Sequence, residues 1–420
     1  PPPPPPPTPP PPPPPTTPRA SRRQRQMCIR DRVTLIVAGE SVFFLPFVLA
    51  RIFRPTLLEV FQITNTELGL WFSVYGVVAM ISYIFGGVLA DRFPARNLMT
   101  TALWLTSGGG LVMATIPADR AMLVLYGFWG FTSICLFWAA MIRATREWGS
   151  LDFQGRAFGW LEGGRGGVAA VLGTFAFFLF SQEGNFRAVI LATSLFTFLS
   201  GILVWFFIPV SQPEYKGTPF SETLRGILSL LKMRNTWLLT VLIICAYSGY
   251  KITDDFSLYA REVLGYSEAN AAGIGTLALW LRALVAILAG YLADRYSRTN
   301  VISVSFGLTV IGGLLIGFRI FNGIGGLLLF NMAFTAAGIY GVRALYFAVL
   351  KEAGFSNALT GTAVGIISFA GFAPEIFMGP LMGRLLDNYP GVTGHSYVFI
   401  LLSAIALSLI HISEPTRPKR

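Results

Sequence analysis

The chain has 420 residues, a formal net charge of +11 and a mean hydropathy of +0.60. It is 53% hydrophobic and only 13% charged, against about 25% charged residues in soluble domains, so the composition argues against a soluble enzyme. With three cysteines and two histidines, neither a disulfide framework nor a His-rich metal site is expected.

Both ends of the chain differ from its body. Residues 1–18 are almost all proline, and a basic run follows up to Arg32. Segments 26–32 and 407–412 can encode one DNA tag on opposite strands, and they resemble a translated sequencing adapter. We expect residues 1–32 to be a non-native or disordered segment and residues 407–420 an adapter-like tail. The alternative for the front is a disordered Pro-rich arm with a membrane-surface basic patch.

Mostly apolar stretches of about 20 residues, enough to cross a bilayer core as helix, recur along the body. They cover residues 33–51, 68–90, 98–116, 122–142, 158–180, 188–210, 237–258, 269–293, 301–320, 324–349, 358–385 and 396–406, the last being truncated. The sequence therefore predicts an all-α membrane protein with twelve transmembrane helices. Two six-helix bundles, residues 33–210 and 236–406, are joined by a linker at residues 211–235.

Capping residues and basic residues set the helix starts and the orientation. Thr64 and Glu67 have the spacing of a capping box before the second span, and Ser267 is placed to cap the eighth. Basic residues are more frequent on the side of the linker. The positive-inside rule therefore places the start of the body and the linker in the cytoplasm, in a bacterial inner membrane.

One polar motif occurs twice. Gly-x-Leu-Ala-Asp-Arg stands at Gly87–Arg92 after the second span and at Gly290–Arg295 after the eighth. Such a repeat implies two halves related by an axis along the membrane normal, with a central site between them. An Asp beside an Arg at a helix end can pair across a moving interface; the alternative is an interfacial anchor.

The extended pattern Gly-x-x-x-Asp-Arg-x-x-x-Arg, from Gly87 to Arg96, resembles the signature of the major facilitator superfamily. The resemblance covers essentially all of residues 33–406 and implies that family's fold and a cytoplasmic gate at the motif. Pro94 and Ala95 replace a usual glycine and a usual basic residue. The run 158–167 resembles the YihN-like bacterial subgroup. The gating residues implied are Gly87, Asp91, Arg92, Arg96, Gly290, Asp294 and Arg295.

Ionisable residues inside the predicted spans are candidate functional residues, because each costs about 2.5–3.5 kcal/mol on insertion scales. In the seventh span, Tyr247, Tyr250, Lys251 and Asp254 share one helical face. The resembled family lines its cavity with the first, fourth, seventh and tenth helices. Our hypothesis is that Lys251 and Arg343 hold an anionic group while the tyrosines donate hydrogen bonds.

Arg282, near the middle of the eighth span, needs a carboxylate or a ligand, and we add it to the substrate-binding set. The alternative for Lys251 is a self-satisfied pair with Asp254 or Asp255. Carboxylates in the first and eleventh spans either carry a coupling proton or act as counter-ions of the inner arginines. The candidate coupling or charge-pairing residues are Glu40, Glu162, Arg165, Asp254, Asp255 and Glu375.

Several functions lack their motifs. The sequence has no Walker loop and hence no visible ATP motor, and His395, expected in an outer loop, cannot form a His-Glu-x-x-His protease site. The chain is predicted to be a secondary transporter and not an enzyme, with no cofactor, no metal and no nucleic acid.

We expect a monomer in the lipid bilayer that moves a small organic anion, such as a sugar acid, carboxylate or sulfonate, with protons as the coupling ion. The mechanism expected is alternating access around a central site. The alternative is an efflux antiporter for lipophilic or cationic compounds, and the remote alternative is a membrane-embedded enzyme or receptor.

Overall fold

The computed structural model describes residues 29–148, 154–210, 228–321, 323–346 and 360–413. These residues form helical rods that we number in chain order. They are α1 (Ile29–Ile52), α2 (Asn65–Arg92), α3 (Ala95–Met113), α4 (Asp119–Thr145), α5 (Gln154–Glu183), α6 (Phe186–Phe207), α7 (Arg234–Glu262), α8 (Glu268–Arg295), α9 (Arg298–Gly317), α10 (Gly325–Leu345), α11 (Thr360–Gly371 continued by Pro374–Asn388) and α12 (Val392–Ser413). Most of the predicted linker, residues 211–227, lies outside the described residues.

Within the described residues, nine helices are long and apolar enough to cross a membrane. They belong to every rod except α2, α3 and α12. Large apolar side chains cover the outside of the molecule, among them Val124, Phe206 and Phe330, which are 74%, 73% and 69% exposed. This surface suits lipid as solvent, because every backbone polar group of a helix is paired within the helix.

The helix starts follow the capping residues that the sequence indicated. Thr64 and Glu67 form the complete capping box of α2, and the Ser267 side chain accepts a hydrogen bond from the backbone N–H of Asn270 at the start of α8. Both helices have 28 residues and end in the Arg of the repeated motif. The internal repeat therefore extends to the length and the cap of the helix.

The halves also share a break at the end of their first helix. In the N-terminal half, α1 ends at Ile52 and a short helix, Arg54–Phe61, follows. In the C-terminal half, the 3₁₀ turn Thr253–Asp255 interrupts α7 at the corresponding position. α1 is also π-helical at Phe44–Val48, around Pro46, which has no N–H to donate. These irregular segments carry polar side chains into the interior.

Small residues allow close packing within each half. Gly110 of α3 lies against Ser194 of α6, and Gly338 of α10 lies against the backbone of Ser305 in α9. A β-carbon at either glycine would overlap those atoms. Close approach through small residues is the usual basis of helix association in lipid. Between the halves, α1, α2 and α5 meet α7, α8 and α11.

Candidate functional site

Nine charged residues meet between the halves, and with two tyrosines they form what we call the central cluster. Its members are Glu40, Arg51, Glu162, Arg165, Tyr247, Tyr250, Lys251, Asp254, Arg282, Arg343 and Glu375. They come from α1, α5, α7, α8, α10 and α11. All but Arg51 are candidate site residues from the sequence, so the fold brings most of that set together.

Lys251 lies between two carboxylates of its own half. Its Nζ is 3.0 Å from Asp254 Oδ2 and 3.0 Å from Glu375 Oε1. The Tyr247 hydroxyl donates to Glu375 Oε2 at 2.6 Å, and the ammonium lies 4.2 Å from the ring centroid of Phe72. Lys251 is therefore paired in this conformation. Of the two neighbours that the sequence offered, Asp254 and Asp255, it pairs with Asp254.

Arg51 crosses from the N-terminal half to the C-terminal half. Its Nε is 2.6 Å from Asp254 Oδ1, and Nη1 donates to the Tyr250 hydroxyl at 2.5 Å. The first predicted span, residues 33–51, ends at this arginine, at the membrane surface, whereas the side chain is 2% exposed. The internal repeat contained the signal, because Arg51 precedes Asp254 by the 203 residues that separate Gly87 from Gly290.

Glu40 joins the halves a second time. Its carboxylate lies 3.3 Å from Arg165 Nε in its own half and 3.6 Å from Arg282 Nη1 in the other. Arg165 also donates to Glu162 Oε1 at 2.7 Å, across one turn of α5. The Glu162 side chain is 51% exposed, so this edge of the cluster is open to solvent or ligand.

Arg343 differs from the other cations of the cluster. Its guanidinium stacks on Tyr250 with its central carbon 3.7 Å from the ring centroid, and it lies 5.7 Å from the Tyr247 centroid. Nη1 is buried without a hydrogen-bond partner, and within the described part of the chain no carboxylate pairs with this arginine. A buried cationic donor without a partner is costly, so this position favours an anionic ligand.

The cluster carries an excess of positive charge. Four carboxylates face five cations, and each of the other four cations has a carboxylate within 4.0 Å. The surplus belongs to Arg343. One monoanion next to Arg343 would make the described cluster neutral.

The outer side, opposite the repeated motif, is closed by contacts between α2 and α11. Gly69 faces Gly379 so closely that a β-carbon on either would overlap the other backbone. Asp387 accepts hydrogen bonds from the backbone N–H groups of Asn65 and Thr66 at 3.1 and 2.8 Å, and from the Thr66 hydroxyl at 2.6 Å. The carboxylate thus caps a helix of the opposite half, where the helix dipole favours a negative charge.

Little space remains between this seal and the central cluster. A cavity of about 10 Å³ is lined by Phe72, Lys251, Asp254, Gly379 and Met382, with Arg54 and Gly69. Since a water molecule needs about 10–15 Å³ of such volume, no solute can pass here. The conformation is therefore closed toward the outer side.

The gating-motif residues lie at the opposite, cytoplasmic end. Positions Gly87 and Gly290 face open space, and Arg92, Asp294 and Arg295 are exposed. The Arg96 guanidinium lies 4.5 Å from the Trp205 ring centroid. The Asp91 side chain lies outside the described residues.

Asp255 points away from the central cluster. Its Oδ2 lies 2.7 Å from His395 Nδ1. His395 belongs to helix α12 and is 0% exposed, so the expectation of an outer loop was wrong. Among the described residues, no group of three His, Cys, Asp or Glu side chains is arranged to hold a metal ion.

Comparison with known proteins agrees with this architecture. The family model of the Major Facilitator Superfamily matches residues 33–371. The chain is 31% identical to the inner membrane protein YqcE of Escherichia coli, over 83% of this chain and 85% of that one. It is 25% identical to the E. coli inner membrane protein YihN, over 89% and 91%, and 20% identical to the glycerol-3-phosphate transporter of Bacillus subtilis, over 83% and 84%.

Among solved structures, the nucleoside transporter NupG superposes with a TM-score of 0.70 at 14% identity, covering 94% of this chain and 100% of that chain. At this identity the likeness concerns the fold. The family match covers most of the chain, and the apolar helices and the inner membrane relatives agree with it. The chain therefore belongs to the Major Facilitator Superfamily, as a multi-pass inner membrane protein of solute transport and not an enzyme.

Proposed function

We propose that the protein is a proton-coupled secondary transporter for a small organic anion, such as a sugar acid, a carboxylate or a sulfonate. The observation that carries the proposal is the buried Nη1 of Arg343, which has no partner among the described residues. A guanidinium is suited to bind a carboxylate or sulfonate through two parallel hydrogen bonds. The rings of Tyr247 and Tyr250 flank this position. In this conformation the Tyr247 hydroxyl donates to Glu375, and the Tyr250 hydroxyl accepts from Arg51.

Lys251 and Arg282 take part by exchanging partners. Both hold carboxylates in the conformation closed to the outside, Lys251 at Glu375 and Arg282 at Glu40. A bound anion attracts both cations. Protonation of Glu40 frees Arg282, and protonation of Glu375 leaves Lys251 with Asp254 alone. Glu40 and Glu375 are thus the carboxylates through which proton binding favours anion binding.

Alternating access follows from two ion pairs of the central cluster that join the halves. The pairs Arg51–Asp254 and Glu40–Arg282 each join one residue of the N-terminal half to one of the C-terminal half. Rocking of the halves about the cluster separates both pairs, and the repeated motif residues around Asp91, Arg92 and Asp294 then close the cytoplasmic end. The anion replaces contacts that are lost during this motion.

The relatives give modest support to an anionic substrate. One of them is named for glycerol-3-phosphate, an organic anion, and it aligns over most of both chains. The nucleoside named for NupG is not an anion, and that likeness is one of fold alone. The charge surplus at Arg343 is the stronger argument.

The test is a thermal-shift screen of the purified protein against gluconate, glucuronate, lactate, isethionate and lipophilic cations. Saturation at about 100 times Kd stabilises a protein by about 2.7 kcal/mol. We expect at least one organic anion to stabilise the wild type. Arg343→Gln should weaken its binding about tenfold to a hundredfold, since a hydrogen bond to a charged group contributes about 1.5–3 kcal/mol.

The matched control is Arg120→Gln, which removes an exposed arginine at the start of α4. Arg343→Lys should retain part of the affinity, because it keeps the charge and loses the paired donors. Equal binding by wild type and Arg343→Gln would contradict the proposal. Stabilisation by lipophilic cations alone would favour the efflux antiporter instead.

A further inference from the structure

A second group of titratable residues lies outside the central cluster, at the outer end of the C-terminal half. His395 of α12 has Nδ1 at 2.7 Å from Asp255 Oδ2 and Nε2 at 3.1 Å from Glu262 Oε2. His395 and Asp255 are fully buried, whereas the Glu262 side chain is 35% exposed. The imidazole therefore connects a buried carboxylate to one that reaches the outer medium.

The two contacts of the ring require an additional proton. A neutral imidazole has one N–H and donates one hydrogen bond, whereas both nitrogens of His395 face carboxylate oxygens. Asp255 Oδ1 is buried without a hydrogen-bond partner. Only an imidazolium donates a hydrogen bond from each ring nitrogen, one to Asp255 and one to Glu262. The geometry therefore fits a site that binds a proton from solvent.

Among the described residues, the other titratable or charged groups around the ring make no hydrogen bond with it. The Tyr259 ring meets the imidazole edge-on at 5.2 Å. Arg319, after α9, donates to Ser396 and Thr393 on either side of His395. On α11, Asp387 is bonded to the start of α2, and Arg384 is exposed. The carboxylates that face the imidazole within the described chain are Asp255 and Glu262.

This group is joined to the central cluster through one 3₁₀ turn. Asp254 and Asp255 are consecutive in the turn Thr253–Asp255, and their side chains point to different partners. Asp254 holds Arg51 and Lys251, whereas Asp255 holds His395. A change of charge at Asp255 therefore affects Asp254, which pairs with Arg51 across the two halves.

We propose that His395, Asp255 and Glu262 form a proton-binding site through which protons from the outer side act on the central cluster. The inference rests on the proposed proton-coupled transport and adds a place where the proton binds. The proton enters at the exposed Glu262, is held between the imidazole and Asp255, and alters the hold of Asp254 on Arg51 and Lys251.

The first test needs no substrate. The sequence has two histidines, so the full chain with His411→Gln retains His395 alone. Histidine-selective ¹⁵N NMR in nanodiscs then reports both ring nitrogens from about pH 5 to pH 10. We expect an imidazolium with protons on both nitrogens that converts to the neutral ring within this range. One neutral tautomer at every pH would overturn the proposal.

The second test measures the link to the cluster. If the proton at His395 acts on Asp254, a change at the partner of Asp254 must by reciprocity change proton binding at His395. Arg51→Gln should move the titration midpoint of His395 by about half a pH unit or more. The control Arg120→Gln should leave the midpoint in place. An unmoved midpoint in Arg51→Gln would overturn the coupling.

The third test uses transport, with gluconate as the probe in liposomes. The His395→Gln variant should still exchange gluconate when the pH is equal on both sides. Its accumulation of gluconate driven by a pH gradient should fall about tenfold. Glu262→Gln gives the same test if His395→Gln fails to fold. An unchanged ratio of protons to gluconate overturns the inference. If the wild type does not transport gluconate, the proposed function loses this substrate, and the two earlier tests still decide the proton site.

Discussion

Arg51 and Asp254, which form an ion pair at 2.6 Å between the halves, are separated by 203 residues, the period of the internal repeat. They are therefore equivalent positions, one in each half. Equivalent residues meet where the pseudo-twofold axis passes through the molecule. Opposite charges at one repeated position thus give a contact on the axis that holds the two halves together.

This pair should contribute strongly to stability, because both side chains are buried. Asp254→Asn leaves Arg51 without a carboxylate, and removal of one partner from a buried pair costs about 3–5 kcal/mol. Arg51→Gln should cost less, since Lys251 still neutralises Asp254. Thermal unfolding in detergent measures both effects, with the exposed Arg120→Gln as control.

The double variant tests whether the pair acts as a unit. Residues in one ion-pair network typically show interaction energies of about 0.5–3 kcal/mol. Arg51→Gln combined with Asp254→Asn should therefore be more stable than the sum of the single losses predicts. Additive losses would mean that each side chain is held by its other neighbours, Tyr250 for Arg51 and Lys251 for Asp254.

Much of the fold follows from the sequence because its physical causes are local. Apolar length, the capping box of Thr64 and Glu67, and the repeated motif each act within a few residues, and the structure confirms the cap, the repeat and the family. The positions of Arg51 and His395 depend on contacts between distant helices. Arg51 was expected at the end of a span and His395 in an outer loop, and both are buried.

The candidate site was predictable as a set of residues and not as a set of pairs. A charge inside a span needs a partner, which selects Glu40, Lys251 and Arg343 from the sequence. Which partner each finds depends on helix rotation and on the 3₁₀ turn after Ile252. That turn sends Asp254 toward the cluster and Asp255 toward α12, a separation that no spacing rule on an ideal helix provides.

The Asp387 cap should set the balance between the outward-closed and outward-open conformations. Asp387→Asn removes the charge that binds the start of α2 across the two halves. Because charge-assisted hydrogen bonds contribute about 1.5–3 kcal/mol, the outward-open population should rise about tenfold or more. A cysteine at Met382, in a chain whose three other cysteines are replaced by serine, should then react faster with an impermeant maleimide added from outside.

The matched control for this variant is Asn185→Ala. Asn185 caps α6 within the N-terminal half by accepting from the backbone N–H of Ala188, so it makes the same kind of contact without joining the halves. Its loss should lower thermal stability and leave the labelling rate at position 382 unchanged. Equal labelling of the Asp387→Asn variant and the wild type would show that the cap does not control opening.

Two glycines of α2, Gly69 and Gly87, distinguish the closed outer side from the open cytoplasmic side. Gly69→Ala places a methyl group against the backbone of Gly379, whereas Gly87→Ala places the same group in open space on the same helix. Overpacking costs about 1–3 kcal/mol, so Gly69→Ala should favour the outward-open conformation. The labelling assay at position 382 measures the effect. Gly87→Ala is the control for lost backbone freedom, and an equal response of the two variants would contradict the prediction.

A pair of carboxylates at the outer ends of the two halves should make stability depend on pH. Glu59, on the short helix Arg54–Phe61, has its pKa raised by a hydrogen bond to Glu268 and by the negative charge of Glu268. A raised pKa in the folded state means that the folded protein binds this proton more tightly than the unfolded chain. The resulting stabilisation is complete below the ordinary Glu pKa of about 4.3, and it is lost as pH rises through the raised value.

Glu59→Gln should therefore be more stable than the wild type at pH values above this window and lose the difference below it, in thermal unfolding measured over a pH series. Thr56→Val is the control, because Thr56 donates to Glu268 Oε2 at 2.9 Å without carrying a charge. Its loss should lower stability, without the gain at higher pH that Glu59→Gln shows. A Glu59→Gln variant that follows the wild type across the whole series would show that the two carboxylates do not share a proton.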